Sequence, residues 1–554
     1  MGLHLQEMMK EHDQKTAYYL TVQITDKQNP RYGGFVLRGF HVDPRACGFV
    51  LGDLLVSYAC SPSAHYQSED LRQAIEATFV YMEAHQRPDG NFDLSGCNFA
   101  SPPDTAFMCN HLFNAYWLMK KYETPLLLPL TDRLSALMER CFEGIASGGF
   151  HTPNHRWAIS SCLLNAYIMT GREEFNARAQ EYLNEGLDIN EDGEFAERSA
   201  GNYNQVNDDQ MIRLYIATKE TRFLEAAKAN LEMMFCYIEP DDSVFTNNST
   251  RQDYGQKVYL ETYYILFLLT GYFLNDHKLG AMAQWIYQSA RSKGKRPDGV
   301  AWLLLYDDLD GFGSDASFEK NFLSYSRLFK ESKIARTRRD NFSYTLMEDK
   351  ANFLYFQHGS FVMYMVIYSN ICDKRNFIGQ DLKAIEGGYQ LQSHAAGWYY
   401  LPFYPEKPST SDWWAMDNPT KRKQIQGLPL DTFVSVQETP TGIDVHIKTQ
   451  GIDQLPLRVE IGFEPGCTLR TDSFLLDGKS GESVTLLQGK AEITGPQGEV
   501  ITLSPAFGEH NATWRSDGAY PQSLEHFTVY LNTYTPVDKT LHIDTVPFEK
   551  KDLL

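Results

Sequence analysis

Three polar side chains of different chemistry stand consecutively at one point of the sequence: the amide of Asn154, the imidazole of His155 and the guanidinium of Arg156. They lie in SGGFHTPNHRWAISSCLLNAY, Ser147 to Tyr167, where Thr152 carries an N-cap oxygen and Pro153 suits the first helical position. The trio is therefore expected in a first helical turn, where free N–H groups and the positive dipole end favour an anion such as a carboxylate. Trp157, Ile159, Leu163, Ala166 and Tyr167 then continue at helical spacing until Gly171. Burial explains the second half of the stretch. It does not explain three adjacent anion-binding groups, for which a capped helix with a solvated polar end is the plain alternative.

Two further stretches carry chemistry. GEFAERSAGNYNQVNDDQM, Gly193 to Met211, follows a glycine turn and gathers Glu197, Arg198, Asn202, Tyr203, Asn204, Asp208 and Asp209 around a second helix start. Tyr203 stands between two asparagines at that entrance, although a core tyrosine is the ordinary reading of such a residue. In NFLYFQHGSFVMYMVIY, Asn352 to Tyr368, His358 and Gly359 interrupt an apolar strand pair. A lone strand histidine is commonly structural, but the glycine beside it marks a bulge or a close backbone approach.

The elements that must position these groups change type along the chain. From about 45 to 335 helical periodicity dominates, as in Met108, Leu112, Ala115, Tyr116 and Met119, or Phe223, Ala227, Leu231 and Met234. Glycine turns followed by an aromatic or apolar residue punctuate it at Gly90, Gly149, Gly193 and Gly299, with PDDSVF near Ser243 as a weaker one. A period near ~50 residues suits a helix pair plus loops, so residues 1–335 are expected to form a toroid of α-hairpins. Arg336, Arg338 and Arg339 then mark a junction that either faces a cleft or is a solvated basic linker. After it, FSYTLME, NFLYFQ, FVMYMVIYS, TFVSVQE, GIDVHIKT, LRVEIGF, AEITG, EVITLS, HFTVYLN and LHIDTV follow one another without a helix. Residues 336–554 therefore predict an antiparallel β-sandwich.

Composition narrows the function. A chain of 554 residues with 43% hydrophobic content has room for two large cores. The formal charge of −20 argues against a general nucleic-acid binder, but a locally basic cleft still admits a polyanion. The longest apolar run, Tyr263 to Leu274, is broken by Thr270 and Gly271 and is too short to span a bilayer. No membrane partner is expected. The N-terminal MGLHLQEMMKEHDQ lacks a basic region followed by an apolar one, and nine cysteines occur without a C-x-x-C pair. Reduced thiols and a cytoplasmic location follow as expectations, or a periplasmic or secreted one if a leader has been removed.

A helical toroid followed by an antiparallel β-sandwich, with Asn-His opening one helix, a tyrosine some fifty residues on and His-Gly in an early strand, resembles the heparinase II/III-like and alginate-lyase-like polysaccharide lyases. The resemblance implies β-elimination on an anionic, uronate-containing polysaccharide. Asn154 and His155 would hold the uronate carboxylate, Tyr203 would protonate the leaving oxygen and His358 would be the base. Tyr167 and Tyr254 are alternative positions for the tyrosine. Several heparinase-like members keep a zinc through a histidine and an aspartate just beyond the catalytic histidine. Ser360 and Phe361 stand there in this chain, so no metal and no other cofactor is expected. Arg156, Arg198, Asn202 and Asn204 are the expected substrate-binding groups around the trio.

The chemistry suits those residue types. A C5 proton is poorly acidic while the adjacent carboxylate stays charged, so the site must neutralise that group and stabilise the enolate-like charge that develops. Histidine titrates near neutral pH and suits a base, whereas a phenol suits the acid. For the other C5 configuration Tyr203 would perform both transfers. Two other classes remain: a glycoside hydrolase using Glu197 with Asp208 or Asp209, and a carbohydrate-binding protein stacking sugars on Trp398, Tyr399, Trp413 and Trp414. In an enzyme those four aromatics are expected to cover the core or the rim of the domain interface instead.

Overall fold

A computed structural model describes residues 2–37, 41–316, 323–371, 374–403, 410–416 and 422–548. The chain divides into two compact units, Met1–Phe235 with Asp242–Glu319, and Cys236–Asp241 with Lys320–Leu554.

The first unit is built of helices: α1 Leu3–Val22, α2 Pro44–Ala59, α3 Glu69–His85, α4 Pro102–Lys121, α5 Leu128–Ser147 and α6 Pro153–Thr170, then α7 Glu173–Leu183, α8 Tyr203–Thr218, α9 Thr221–Phe235, α10 Tyr263–Leu274, α11 His277–Ser292 and α12 Val300–Leu305. Local chemistry starts several of them. Asp43 accepts from the Ala46 N–H ahead of Pro44, Ser68 from Leu71, and Ser101 from Asp104 ahead of two prolines. Successive even-numbered helices α2, α4, α6, α8 and α10 pack side by side, and α3, α7, α9 and α11 back onto them. The ring closes through α1, which packs on α2 and α12 and reaches the last hairpin by the Tyr287 hydroxyl donating to Glu7 at 2.7 Å. α10 is the YYILFLLTGYFL run, buried on nearly every side as an inner helix must be. No helix among the described residues is long and apolar enough to cross a membrane.

The repeat behind the toroid is carried by glycines pressed against the next outer helix. Gly90 and Gly193 have φ of +86° and +90°, and a Cβ there would meet the Arg140 carbonyl in α5 at 1.9 Å and the Ala229 carbonyl in α9 at 2.4 Å. Gly33, outside the expected series, does the same with φ +84° against Ala77 in α3 at 1.8 Å. Only glycine fits both constraints. Gly149 lacks the positive φ and has open space around it, so it does not belong to the series.

Among the described residues the second unit is a β-sandwich of two nine-stranded sheets, with a separate two-stranded pair Trp398–Tyr400 and Gln424–Gln426. One sheet runs Ser483–Thr485, Phe527–Tyr534, Pro456–Phe463, Phe361–Ile371, Leu354–His358, Phe342–Met347, Ile334–Arg338 and Tyr325–Phe329, with Lys374–Asn376 paired to the long strand Phe361–Ile371. The other runs from Gln380–Ile385 through Leu430–Glu438, Gly442–Gly451 and Asp538–Asp544 to Leu475–Gly478. Pairing is antiparallel except that Ser483–Thr485 lies parallel to Phe527–Tyr534. Alternate residues of both sheets, among them Val434, Val436, Val445 and Ile447 with Met363, Met365, Val459 and Ile461, fill one core.

Strands begin at Tyr325, before the composition-based boundary at 335. The stretch read as a junction is a hairpin, and two of its arginines are buried in the second unit, while Arg339 is partly exposed and paired with Glu438. Arg336 is fully buried, donating to Glu239 at 3.0 Å and to the Cys236 carbonyl at 2.6 Å, and Arg338 donates to the Ile238 carbonyl at 3.1 Å. The segment Cys236–Asp241 covers this polar sheet face, which explains why it belongs with the second unit.

Candidate active site

A cavity of about 830 Å³ opens in the helical unit, lined from α2, α4, α6, α8, α10 and the loops before them. Asn154, His155, Asn202 and Tyr203 all line it, so two separate helix starts supply one site. Tyr167 and Tyr254 are not among its lining residues.

Pro153 starts α6 as expected, but Thr152 makes no capping bond to the backbone. Its hydroxyl accepts from the Asn154 amide at 3.4 Å. The Asn154 amide also donates to Glu197 Oε1, and Asn207 donates to Glu197 Oε2 at 3.3 Å. Asn154, Asn207 and Glu197 are all buried. Burial pushes the Glu197 carboxyl above its ordinary range, against the opposing hydrogen bonds from the two asparagines. Glu197 thus fixes the Asn154 amide and does not itself line the cavity.

His155 packs edge-on against Phe107 and against His151 at a centroid distance of 4.5 Å, and its Nδ1 is buried without a partner. Burial, reinforced by the neighbouring His151, pushes the imidazole down to about 4. His155 is therefore neutral near neutral pH and offers hydrogen bonding without charge. A full positive charge at the site must come from elsewhere.

Arg156 does not supply it. Consecutive helical residues are turned about 100° from one another, so three in a row cannot share one face. Arg156 points away to Glu185 at 3.1 Å and the Gly186 carbonyl at 3.1 Å, stacked on Trp157. Arg198, with φ +46°, pairs with Glu194 at 3.4 Å and is likewise absent from the cavity wall. The same rotation separates Asn202 and Tyr203 from Asn204, which is buried and donates to the Met234 sulfur at 3.6 Å. These three expected substrate-binding groups do not line the cavity.

Sequence reasoning missed the arginines that do line the cavity. Arg45 is paired with Asp104 at 3.2 Å and Arg213 with Asp209 at 2.7 Å. Arg251 is different: its guanidinium carbon lies 4.5 Å from the centroid of the Tyr203 ring, and its Nε is buried without a hydrogen-bond partner. Nothing in RQDYGQK, at the end of a loop far along the chain, signals that placement. On the α2/α4 wall His111 lines the cavity with Nε2 at 3.1 Å from Asp53 Oδ1. Burial alone would raise Asp53, but the His111 hydrogen bond and the Lys15 charge outweigh it and hold the carboxyl far below the usual range.

The carboxylates also weigh against the hydrolase arrangement. Asp208 is fully buried, with burial first and Asp209 second raising its pKa well above the usual range, and it does not line the cavity. Asp104 and Asp209, which do, are each held by an arginine.

His358 ends the strand Leu354–His358 in the second unit, outside the sandwich core. Its Nδ1–H donates to the Val500 carbonyl at 2.6 Å, and the Asn341 amide faces Nε2 at 3.4 Å. The neutral ring therefore keeps its lone pair on Nε2. Gly359 stands in a hairpin turn with φ +54°, where a Cβ would lie 2.9 Å from the Glu499 side chain; the close approach holds, the bulge does not. Trp398, Tyr399, Trp413 and Trp414 are exposed, Trp414 at 93%, and so cover no core.

No family model and no curated protein matches the sequence. Solved structures do. A xanthan lyase from Paenibacillus superposes with a TM-score of 0.56 at 12% identity, over 90% of this chain and 51% of that one. The heparan sulfate lyase HepC of Pedobacter heparinus, as a mutant, gives 0.53 at 10% identity over 98% and 84%. Heparinase III gives 0.53 at 11% identity over 96% and 84%. The chain spans about half the length of the xanthan lyase. At these identities the likeness is one of fold: this chain has the helical toroid and β-sandwich architecture of polysaccharide lyases.

Proposed function

We propose that the protein is a polysaccharide lyase that cleaves a uronate-containing polymer or oligosaccharide by β-elimination. The observation that carries this reading is the guanidinium of Arg251, its Nε without a partner among the described residues, stacked on Tyr203 in a cavity shared with Asn154 and His155. Arg251 supplies the charge that the neutral His155 cannot. The His155 ring adds a directed hydrogen bond to the same carboxylate, and the Asn154 amide adds another by exchanging its long 3.4 Å bond to Thr152 for the substrate, both strengthening as enolate-like charge develops. The C5 proton leaves to a base, the C5 electron pair forms the C4–C5 double bond, and the C4–O4 bond breaks with the proton from Tyr203 delivered to O4. His358, with its Nε2 lone pair fixed by the bond to Val500, is the proposed base; for the opposite C5 configuration Tyr203 makes both transfers.

The structural relatives are named for lyase action on xanthan and heparan sulfate, which favours an anionic polysaccharide as the substrate class. Incubation with a panel of uronate polymers and their oligosaccharides tests the reading. Elimination conjugates the new double bond with the carboxylate and raises ultraviolet absorbance. New reducing ends without that absorbance would mean hydrolysis, and retention without either would mean binding alone.

A further inference from the structure

One buried carboxylate ties together the loops that carry both halves of the Tyr203–Arg251 pair without touching the cavity. Asp253 is 6% exposed. Its Oδ1 accepts from the Ser199 hydroxyl at 2.7 Å and the Ser249 hydroxyl at 2.6 Å, and its Oδ2 accepts from the Gly201 N–H at 2.9 Å. Each serine hydroxyl has a single proton, spent on Asp253, so its lone pairs remain for backbone donors. Ser199 Oγ accepts from the Tyr203 N–H at 3.0 Å, and Ser249 Oγ accepts from the Arg251 N–H at 3.1 Å. The same loops meet again where the Thr250 hydroxyl donates to the Glu197 carbonyl at 2.8 Å, and the Glu197 carboxylate fixes Asn154. Gly201 leaves the room this needs, since a Cβ would stand 2.9 Å from Asp253 Oδ2 and 3.1 Å from Thr246.

We propose that Asp253 is a positioning residue for the active site, setting the separation of Tyr203 and Arg251 through two symmetric serine relays. The two oxygens of a carboxylate accept all three donors at once. An asparagine would turn its own N–H groups toward either the serines or the Gly201 N–H, and charge-assisted bonds are about twice as strong as the neutral ones that replace them. The kinetic half of the proposal rests on the lyase reading; the geometric half does not.

The test joins crystal structures of Asp253→Asn and Ser249→Ala with steady-state kinetics on whichever polymer the wild type eliminates. Arg251 is expected to leave its 4.5 Å contact with the Tyr203 ring in both variants. kcat should fall by about 10- to 100-fold, the scale of a small misplacement of reacting groups, with KM little changed. In an Arg251→Ala background Asp253→Asn should cost less than it does in the wild type, because the part of its effect carried by Arg251 is already lost. Retention of the ring contact in the variant crystals, or losses that multiply in the double variant, overturns the proposal. Should Asp253→Asn fail to fold, Ser249→Ala, which removes one relay, carries both measurements. A wild type that eliminates nothing from the panel defeats the lyase reading, and the crystal measurement then decides Asp253 alone.

Discussion

Arg251 lies over the ring of Tyr203, 4.5 Å from its centroid, with a buried Nε that donates to no partner among the described residues. Leaving a buried guanidinium N–H without an acceptor is costly unless a ligand supplies one. In this account the substrate carboxylate supplies it. Arg45 and Arg213 line the same cavity but already have partners in Asp104 and Asp209.

Arg251→Ala should therefore lower kcat/KM by about 10²- to 10³-fold, the scale for losing one charge-stabilising donor. Arg251→Lys should recover little, because a point charge reproduces neither the planar donors nor the stacking. Kinetics on the eliminated polymer check this, and wild-type activity in Arg251→Ala refutes it.

Asn154 has two duties, and the structure changes what its removal should do. Asn154→Ala takes one hydrogen bond from the buried Glu197 and one donor from the cavity. Turnover should fall about 10²- to 10³-fold, and stability by about 1–3 kcal/mol for the under-satisfied carboxylate. Glu197→Gln in the same background should restore part of the stability and none of the turnover. Denaturant melts alongside kinetics separate the two effects.

Arg156→Ala and Arg198→Ala should leave kcat and KM close to wild type, since neither side chain lines the cavity. Both side chains point away from the cavity into contacts with Glu185 and Glu194. A KM rise in either variant would return that residue to the substrate-binding set.

The fold was legible in the sequence because its signals are local and repeated: helical stripes, glycine turns and runs of alternating strand. The cavity wall was half legible. Asn154, His155, Asn202 and Tyr203 announce themselves as polar residues at helix starts, but neighbours with the same composition, Arg156 and Asn204, differ only in the direction that one step of rotation gives them. Arg251 and Asp253 left no mark because their roles depend on one loop meeting another. Arg336 read as linker because a sheet face buried with polar groups has the composition of a solvated one.

His155 makes a pH prediction. Its imidazole lies at about 4 in the folded chain, against an unfolded value of ~6.5. Between those values the unfolded chain binds the proton and the folded chain does not, so this group's contribution to stability is intact above ~6.5 and is lost as pH falls toward about 4. His155→Gln should flatten the pH dependence of unfolding free energy in that window. An unchanged slope there would show that His155 is not the buried neutral group described.

The most direct test of the central claim is the single-turnover ultraviolet absorbance of Tyr203→Phe beside the wild type on a uronate polymer that the wild type degrades. The variant removes one hydroxyl from the cavity and leaves the ring beneath Arg251. Loss of double-bond formation by at least about 10²-fold, with polymer binding and melting temperature retained, is the predicted result. Elimination by Tyr203→Phe at the wild-type rate would contradict the account, because no proton would then pass through Tyr203.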